Sequence, residues 1–104
     1  MSRITEAITA VGAFVPEYRL TNAILETMVD TNDEWITTRT GIKERRILKD
    51  PDKGTSYLAI KAAEDLIQKH NIDPAEIDMV ILGTATPDMP VASTAVYVAT
   101  QIGA

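Results

Sequence analysis

Two stretches of the chain are too densely apolar for an ordinary half-exposed surface element. Residues 4–15 place Ile4, Ile8, Val11, Phe14 and Val15 among Thr and Ala. Their length and β-branched content predict a buried strand. Gly12 within it signals a bulge or a close backbone approach, and Pro16 ends it. Residues 79–84, Met-Val-Ile-Leu-Gly-Thr, form a continuous apolar run, the pattern of a strand covered on both faces. Residues 17–20 read as a connector.

Between these runs the pattern changes to helical spacing. Residues 22–29 predict a short helix opened by Thr21 or Asn22, with Ile24, Leu25 and Met28 on its inner face. Thr31-Asn32-Asp33-Glu34 has the form of a capping box, a Thr N-cap with Glu three residues later. The helix it opens runs to Arg39 or Thr40, and Gly41 fits the left-handed position beyond its end. Residues 42–48 are mixed in polarity and suit a short strand. Residues 49–54 are an exposed loop. Thr55 or Ser56 then caps a long helix to about His70, with Ala59, Ala62, Ala63, Leu66 and Ile67 as its buried stripe. Asp73-Pro74-Ala75-Glu76 is another N-terminal helix signature, with Pro at the first position. A loop over 85–92 leads to Ser93, which opens a last helix reaching Ile102, with Gly103 after it.

The order strand, helices, strand, helix predicts an α/β chain containing a parallel, right-handed βαβ unit. Two or three strands with helices on one or both faces leave apolar surface uncovered. A layered α/β fold also expects another strand after the last helix. The expectation is therefore an incomplete domain over residues 1–104.

Composition narrows the chemistry. The 104 residues suit one small domain, and 45% are apolar. Ten Lys and Arg against 15 Asp and Glu give a net charge of −5. That disfavours general nucleic-acid binding, which relies on a basic surface. There is no cysteine and one histidine, His70. A disulfide scaffold, a thiolate zinc site, a His-based metal cluster and a cysteine nucleophile are excluded within these residues. No G-x-G-x-x-G or P-loop is present. The N-terminus carries no apolar signal segment, and no apolar run approaches a membrane span, so the expected compartment is the cytoplasm.

Thr31, Trp35 and Arg39 recur every four residues and share one helix face. An aromatic ring beside a guanidinium suits a nucleotide, because the ring stacks on a base and the fork pairs with phosphate. The alternative is Trp35 as a core anchor covered by Arg39 through a cation–π contact. Spacing alone favours that second reading. Lys43, Arg45 and Arg46 are a basic cluster for a phosphate or an acidic carrier, or simply a charged strand edge. His70 fits a helix C-terminus, where the dipole favours a cation. Thr84, Thr86 and Asp88 follow a buried strand, where α/β sheets gather ligands.

The strings Met28-Val29-Asp30-Thr31-Asn32-Asp33-Glu34-Trp35-Ile36 and Thr38-Arg39-Thr40-Gly41-Ile42-Lys43-Glu44-Arg45-Arg46 closely resemble the N-terminal signature of the β-ketoacyl-acyl-carrier-protein synthase III family. Gly83-Thr84-Ala85-Thr86-Pro87-Asp88, followed by Ser93-Thr94-Ala95, fits the same family. The resemblance implies the N-terminal portion of a thiolase-like fold, five αβαβα layers in the full-length family, and a cytoplasmic homodimer. It implies an acyltransferase that takes acyl-coenzyme A as substrate, not cofactor, and malonyl-acyl carrier protein as partner, with no metal, nucleic acid or membrane. Its Cys-His-Asn catalytic set has no counterpart here, so no residue of this chain is expected to be catalytic. Trp35 matches the residue that stacks on adenine, Thr31 one near the base, Arg39 one at the phosphates, and Thr40 an assisting neighbour. Val91 stands where the family often has Phe, bordering the acyl pocket of the neighbouring subunit. The match lifts the nucleotide platform above the core-anchor reading. Two further readings stay open: a thiolase-fold condensing enzyme of secondary metabolism, and a non-catalytic α/β binding or assembly module.

Overall fold

A computed structural model describes residues 2–104. The chain forms two compact units: Val15–Asp52, and Lys53–Ala104 together with the segment up to Phe14.

The Val15–Asp52 unit contains strand β1 (Tyr18–Thr21), helix α1 (Asn22–Glu26), helix α2 (Asp33–Thr40) and strand β2 (Glu44–Ile47). β1 and β2 pair antiparallel, with Leu20 opposite Arg45 and Arg19 opposite Arg46. The connector expected over 17–20 is thus mostly strand. Its polarity hid a two-stranded ribbon whose outer face is solvated. Two arginines directly opposite repel. Glu44, diagonal to Arg19, offsets this through a 3.7 Å ion pair, and Arg46 turns its Nη1 to the Pro16 carbonyl at 2.6 Å.

α1 is shorter than expected. Thr21 caps it, accepting from the Ile24 N–H at 3.3 Å, but the helix stops at Glu26 and leaves Met28 exposed. α2 starts one residue later than the capping box predicts. Asn32, not Thr31, is the N-cap: its Oδ1 accepts from the Trp35 N–H at 2.8 Å. Glu34 therefore takes no capping-box role. Asp33 and Glu34 sit in the first turn and Arg39 in the last, each matched to the helix dipole. Gly41 ends the helix at φ 71°, a conformation that is cheap for glycine. Only Ile36 of α2 is buried. This helix is held mainly by its ends and by a buried side chain described below.

The second unit is built on α3 (Thr55–His70) and α4 (Thr94–Ile102), which pack together, with a single 3-10 turn at Pro74–Glu76. Val98 of α4 is the buried apolar residue between them. Ser93 caps α4 and Gly103 closes it in a left-handed conformation, as the pattern predicts. The expected helix after Asp73 is only the 3-10 turn, with Asp73 accepting from the Ala75 N–H at 3.0 Å. Gly12 makes the close approach anticipated for it. A Cβ there would lie 2.6 Å from Leu66 Cβ and 2.7 Å from the Ala62 carbonyl oxygen. The neighbouring backbone is tied down as well, since the Ala13 N–H donates to Asp65 at 3.0 Å.

The two long apolar runs differ from expectation. Among the described residues neither 4–15 nor 79–84 takes part in a strand ladder, and no parallel pair forms. Ile8 is 91% exposed and Ile81 86%. A strand needs a neighbour for its N–H and C=O groups, and no described segment supplies one to either run. Their apolar content is that of covered strands, while the cover is absent from these residues. No helix is long and apolar enough to cross a membrane among the described residues.

Candidate functional site

The polar centre of the Val15–Asp52 unit is Asn22, the first residue of α1 and only 2% exposed. Its Nδ2 donates to Asp33 Oδ1 at 2.7 Å and to the Ile42 carbonyl at 2.9 Å. Its Oδ1 accepts from Arg45 Nη1 at 2.6 Å. The amide orientation is unambiguous, because Arg45 only donates and the other two partners only accept. Thr37 Oγ1 adds a 3.1 Å bond to the same Asp33 oxygen. The Asn22 amide, then the Thr37 hydroxyl, hold the Asp33 carboxyl below the ordinary carboxylate range, with Lys43 adding a smaller attraction. α1, α2 and β2 are thereby joined through one side chain.

Trp35 stands on the α2 held in this way. It is 53% exposed, and the Arg39 guanidinium lies 4.6 Å from its ring centroid. The cation–π half of the core-anchor alternative is present; the burial half is not, since the buried neighbour is Ile36. Trp35 borders two shallow concavities. One, of about 530 Å3, is lined by Thr31, Trp35, Ile36, Thr40 and Arg45 among others. The second, of about 420 Å3, is lined by Asn32, Glu34, Trp35, Thr38 and Arg39. Thr31, Trp35 and Thr40 are brought to one wall, and Arg39 to the Trp35 ring beside the other. Thr31 precedes the N-cap, so the four-residue spacing that selected this face begins one step outside the helix.

Thr40 is partly spent on structure. Its hydroxyl donates to the Ile36 carbonyl at 2.7 Å and accepts from the Ile42 N–H at 3.1 Å. One lone pair remains for a ligand. The basic triplet is also divided. Neighbouring strand residues face opposite ways, so Arg46 turns to Pro16 while Arg45 turns to Asn22 and the larger concavity.

Elsewhere, His70 lies at the C-terminal end of α3 and meets the Val11 carbonyl at 3.2 Å. Thr84 and Thr86 gather on Thr55, whose hydroxyl donates to the Thr86 carbonyl at 2.6 Å. Asp88 accepts from the Ser56 N–H at 2.7 Å and the Ser56 hydroxyl at 2.5 Å, and these two bonds hold its carboxyl below the ordinary range. The loop after the apolar run is therefore a helix-capping structure. Val91 is 98% exposed. Sequence reasoning misses the roles of two residues. Asn22 stands out only as an N-cap candidate, and Asp88 only as part of a ligand-gathering loop, where the structure makes it the cap of α3.

No family model matches the chain. It is 61% identical over 103 residues to β-ketoacyl-acyl-carrier-protein synthase III of Porphyromonas gingivalis, a match that takes in 99% of this chain and 31% of that protein. The crystal structure of β-ketoacyl-acyl-carrier-protein synthase III from Thermus thermophilus superposes with a TM-score of 0.83 at 49% identity, over 94% of this chain and 30% of that one. The priming β-ketosynthase of the R1128 polyketide biosynthetic pathway gives 0.82 at 34% identity, over 90% of this chain and 28% of that one. The chain is thus similar in sequence and fold to β-ketoacyl-acyl-carrier-protein synthase III and spans about a third of the length of those relatives. Its architecture is part of a thiolase-like α/β fold.

Proposed function

We propose that this chain forms the coenzyme A entrance of a β-ketoacyl-acyl-carrier-protein synthase III, an acyltransferase that condenses acyl-coenzyme A with malonyl-acyl carrier protein to begin fatty-acid synthesis. The observation that carries the reading is the exposed Trp35, with a guanidinium at 4.6 Å, standing beside a concavity of about 530 Å3. A large ring left in water gains by covering its face with another aromatic plane. Adenine supplies that plane, and the phosphates of coenzyme A supply partners for Arg39. Thr31 and Thr40 offer hydroxyls at the rim of the larger concavity.

The covalent step belongs to other residues of the whole enzyme. This chain has no cysteine, and the ring of its one histidine meets a backbone carbonyl. Its contribution is to bind and orient the acyl donor. In this reading residues 1–104 are an incomplete thiolase-like domain of a cytoplasmic homodimer, and Val91 borders the acyl pocket of the neighbouring subunit. A side chain smaller than Phe there leaves room for a bulkier acyl group. Identity of 61% to the β-ketoacyl-acyl-carrier-protein synthase III of Porphyromonas gingivalis supports the fatty-acid assignment; the 34% to the polyketide priming enzyme is matched by 35% to the Pseudomonas aeruginosa synthase III and favours neither reading.

Initial-rate kinetics on the full-length protein test the assignment. Trp35→Ala should raise the KM for acyl-coenzyme A by about tenfold, or about 1.4 kcal/mol, within the ~1–3 kcal/mol of base stacking on an aromatic platform, and leave the KM for malonyl-acyl carrier protein near wild type. Equal effects on both substrates, with reduced thermal stability, would return Trp35 to a structural role.

A further inference from the structure

We infer that Asn22 is the positioning residue of the nucleotide platform: it sets the distance between the helix that carries Trp35 and the strand that carries Arg45. This rests on reading Trp35 as a coenzyme A platform.

Trp35 and Arg45 line the same concavity, yet they belong to different elements, α2 and β2. α2 is eight residues long with one buried side chain. A helix so short is marginal without tertiary support, and one apolar anchor leaves its rotation about its own axis weakly fixed. Asn22 supplies the second anchor. From one 2% exposed amide it holds Asp33 in the first turn of α2, Arg45 on β2, and the Ile42 carbonyl just past the end of α2. Both ends of the helix and the facing strand are referenced to a single rigid side chain. Arg45 is directed by the same contact: with one Nη1 bond committed to Asn22, the guanidinium keeps other N–H groups and a fixed orientation beside the concavity. Asn22 contacts no ligand in this account. It acts through Trp35 and Arg45, so its loss should weaken coenzyme A binding out of proportion to any loss of folded protein.

The test uses the full-length protein in three variants: Asn22→Ala, Asp33→Ala and Trp35→Ala. Asp33→Ala cuts the same tie from the exposed side of α2 and serves if Asn22→Ala fails to fold. Steady-state KM is measured separately for acyl-coenzyme A and for malonyl-acyl carrier protein. The inference expects Asn22→Ala and Asp33→Ala to raise the acyl-coenzyme A KM by about fivefold, within the range of coupled polar contacts, with the carrier-protein KM and kcat close to wild type. If the folded variants keep a wild-type acyl-coenzyme A KM while Trp35→Ala raises it, the positioning role is overturned and the platform stands. Uniformly lower kcat with both KM values unchanged, the mark of a smaller folded fraction, also overturns it. If Trp35→Ala itself changes nothing, the platform reading falls and this inference falls with it.

Discussion

Asp88 caps helix α3 from a loop 32 residues further along the chain, accepting hydrogen bonds from both the N–H and the hydroxyl of Ser56. Gly54, the residue at the N-cap position, makes no side-chain cap of its own. A Cβ at Gly54 would sit 3.3 Å from the Asp88 carboxylate, so a small residue there gives the acid its approach. The loop and the helix thus stabilise each other. Asp88→Ala should destabilise the protein by about 1 kcal/mol, the usual worth of an N-cap. Asp88→Asn, which keeps an acceptor, should cost less. Urea denaturation at neutral pH measures both, and a wild-type midpoint for Asp88→Ala would refute the capping role.

The same contact predicts a pH response with a definite sign. The Asp88 carboxyl is held below its ordinary value of 3.8 by the Ser56 hydroxyl and N–H bonds, and Asp65 is held down by the Ala13 N–H and then Lys69. A carboxyl with a depressed native pKa binds fewer protons folded than unfolded. Its stabilisation is complete above pH 3.8, and is lost as pH falls from there through the lower native value. Thermal melts as a function of pH should therefore show the Asp88→Asn and wild-type curves converging in strong acid and separating above it. A gap between the curves that widens on acidification would contradict the assignment.

Gly12 tests the packing of the N-terminal segment on α3. Any Cβ placed there meets Leu66 and the Ala62 carbonyl at 2.6–2.7 Å, and both neighbours are fixed parts of the helix. Gly12→Ala should cost about 1–3 kcal/mol through overpacking, and amide exchange should speed up at Ala13, whose N–H is held by Asp65. Unchanged exchange at Ala13 together with unchanged stability would mean the segment does not lie on α3 in solution.

What the sequence displays, and what it conceals, follows from how local each signal is. Ser93, Gly103 and Gly41 mark helix ends because capping is decided within a few residues, and the ends of α4 fall where these residues place them. The start of α2 slips by one residue because Thr31 and Asn32 are both good N-caps, and only the backbone, extended at Asn32 with its side chain on Trp35, decides between them. Residues 4–15 and 79–84 declare their apolarity, but a ladder depends on a partner segment that the pattern cannot supply. Asn22 and Asp88 reach partners 11 to 32 residues away, so nothing in their immediate neighbours distinguishes them from ordinary polar positions. The Trp35 face stands out in the sequence because helical spacing and family resemblance select the same residues. Spacing alone predicted a buried ring, and the exposure of Trp35 reverses that.

Calorimetric titration of coenzyme A into the full-length protein, compared across wild type, Trp35→Phe and Trp35→Ala, bears most directly on the platform. Stacking on an exposed ring predicts Kd values that rise in that order, with Trp35→Ala weaker by about tenfold and all three proteins equally stable, because a ring 53% exposed contributes little to the core. One common Kd for the three proteins, accompanied by a lower melting temperature for Trp35→Ala, would contradict the account and make Trp35 a structural residue.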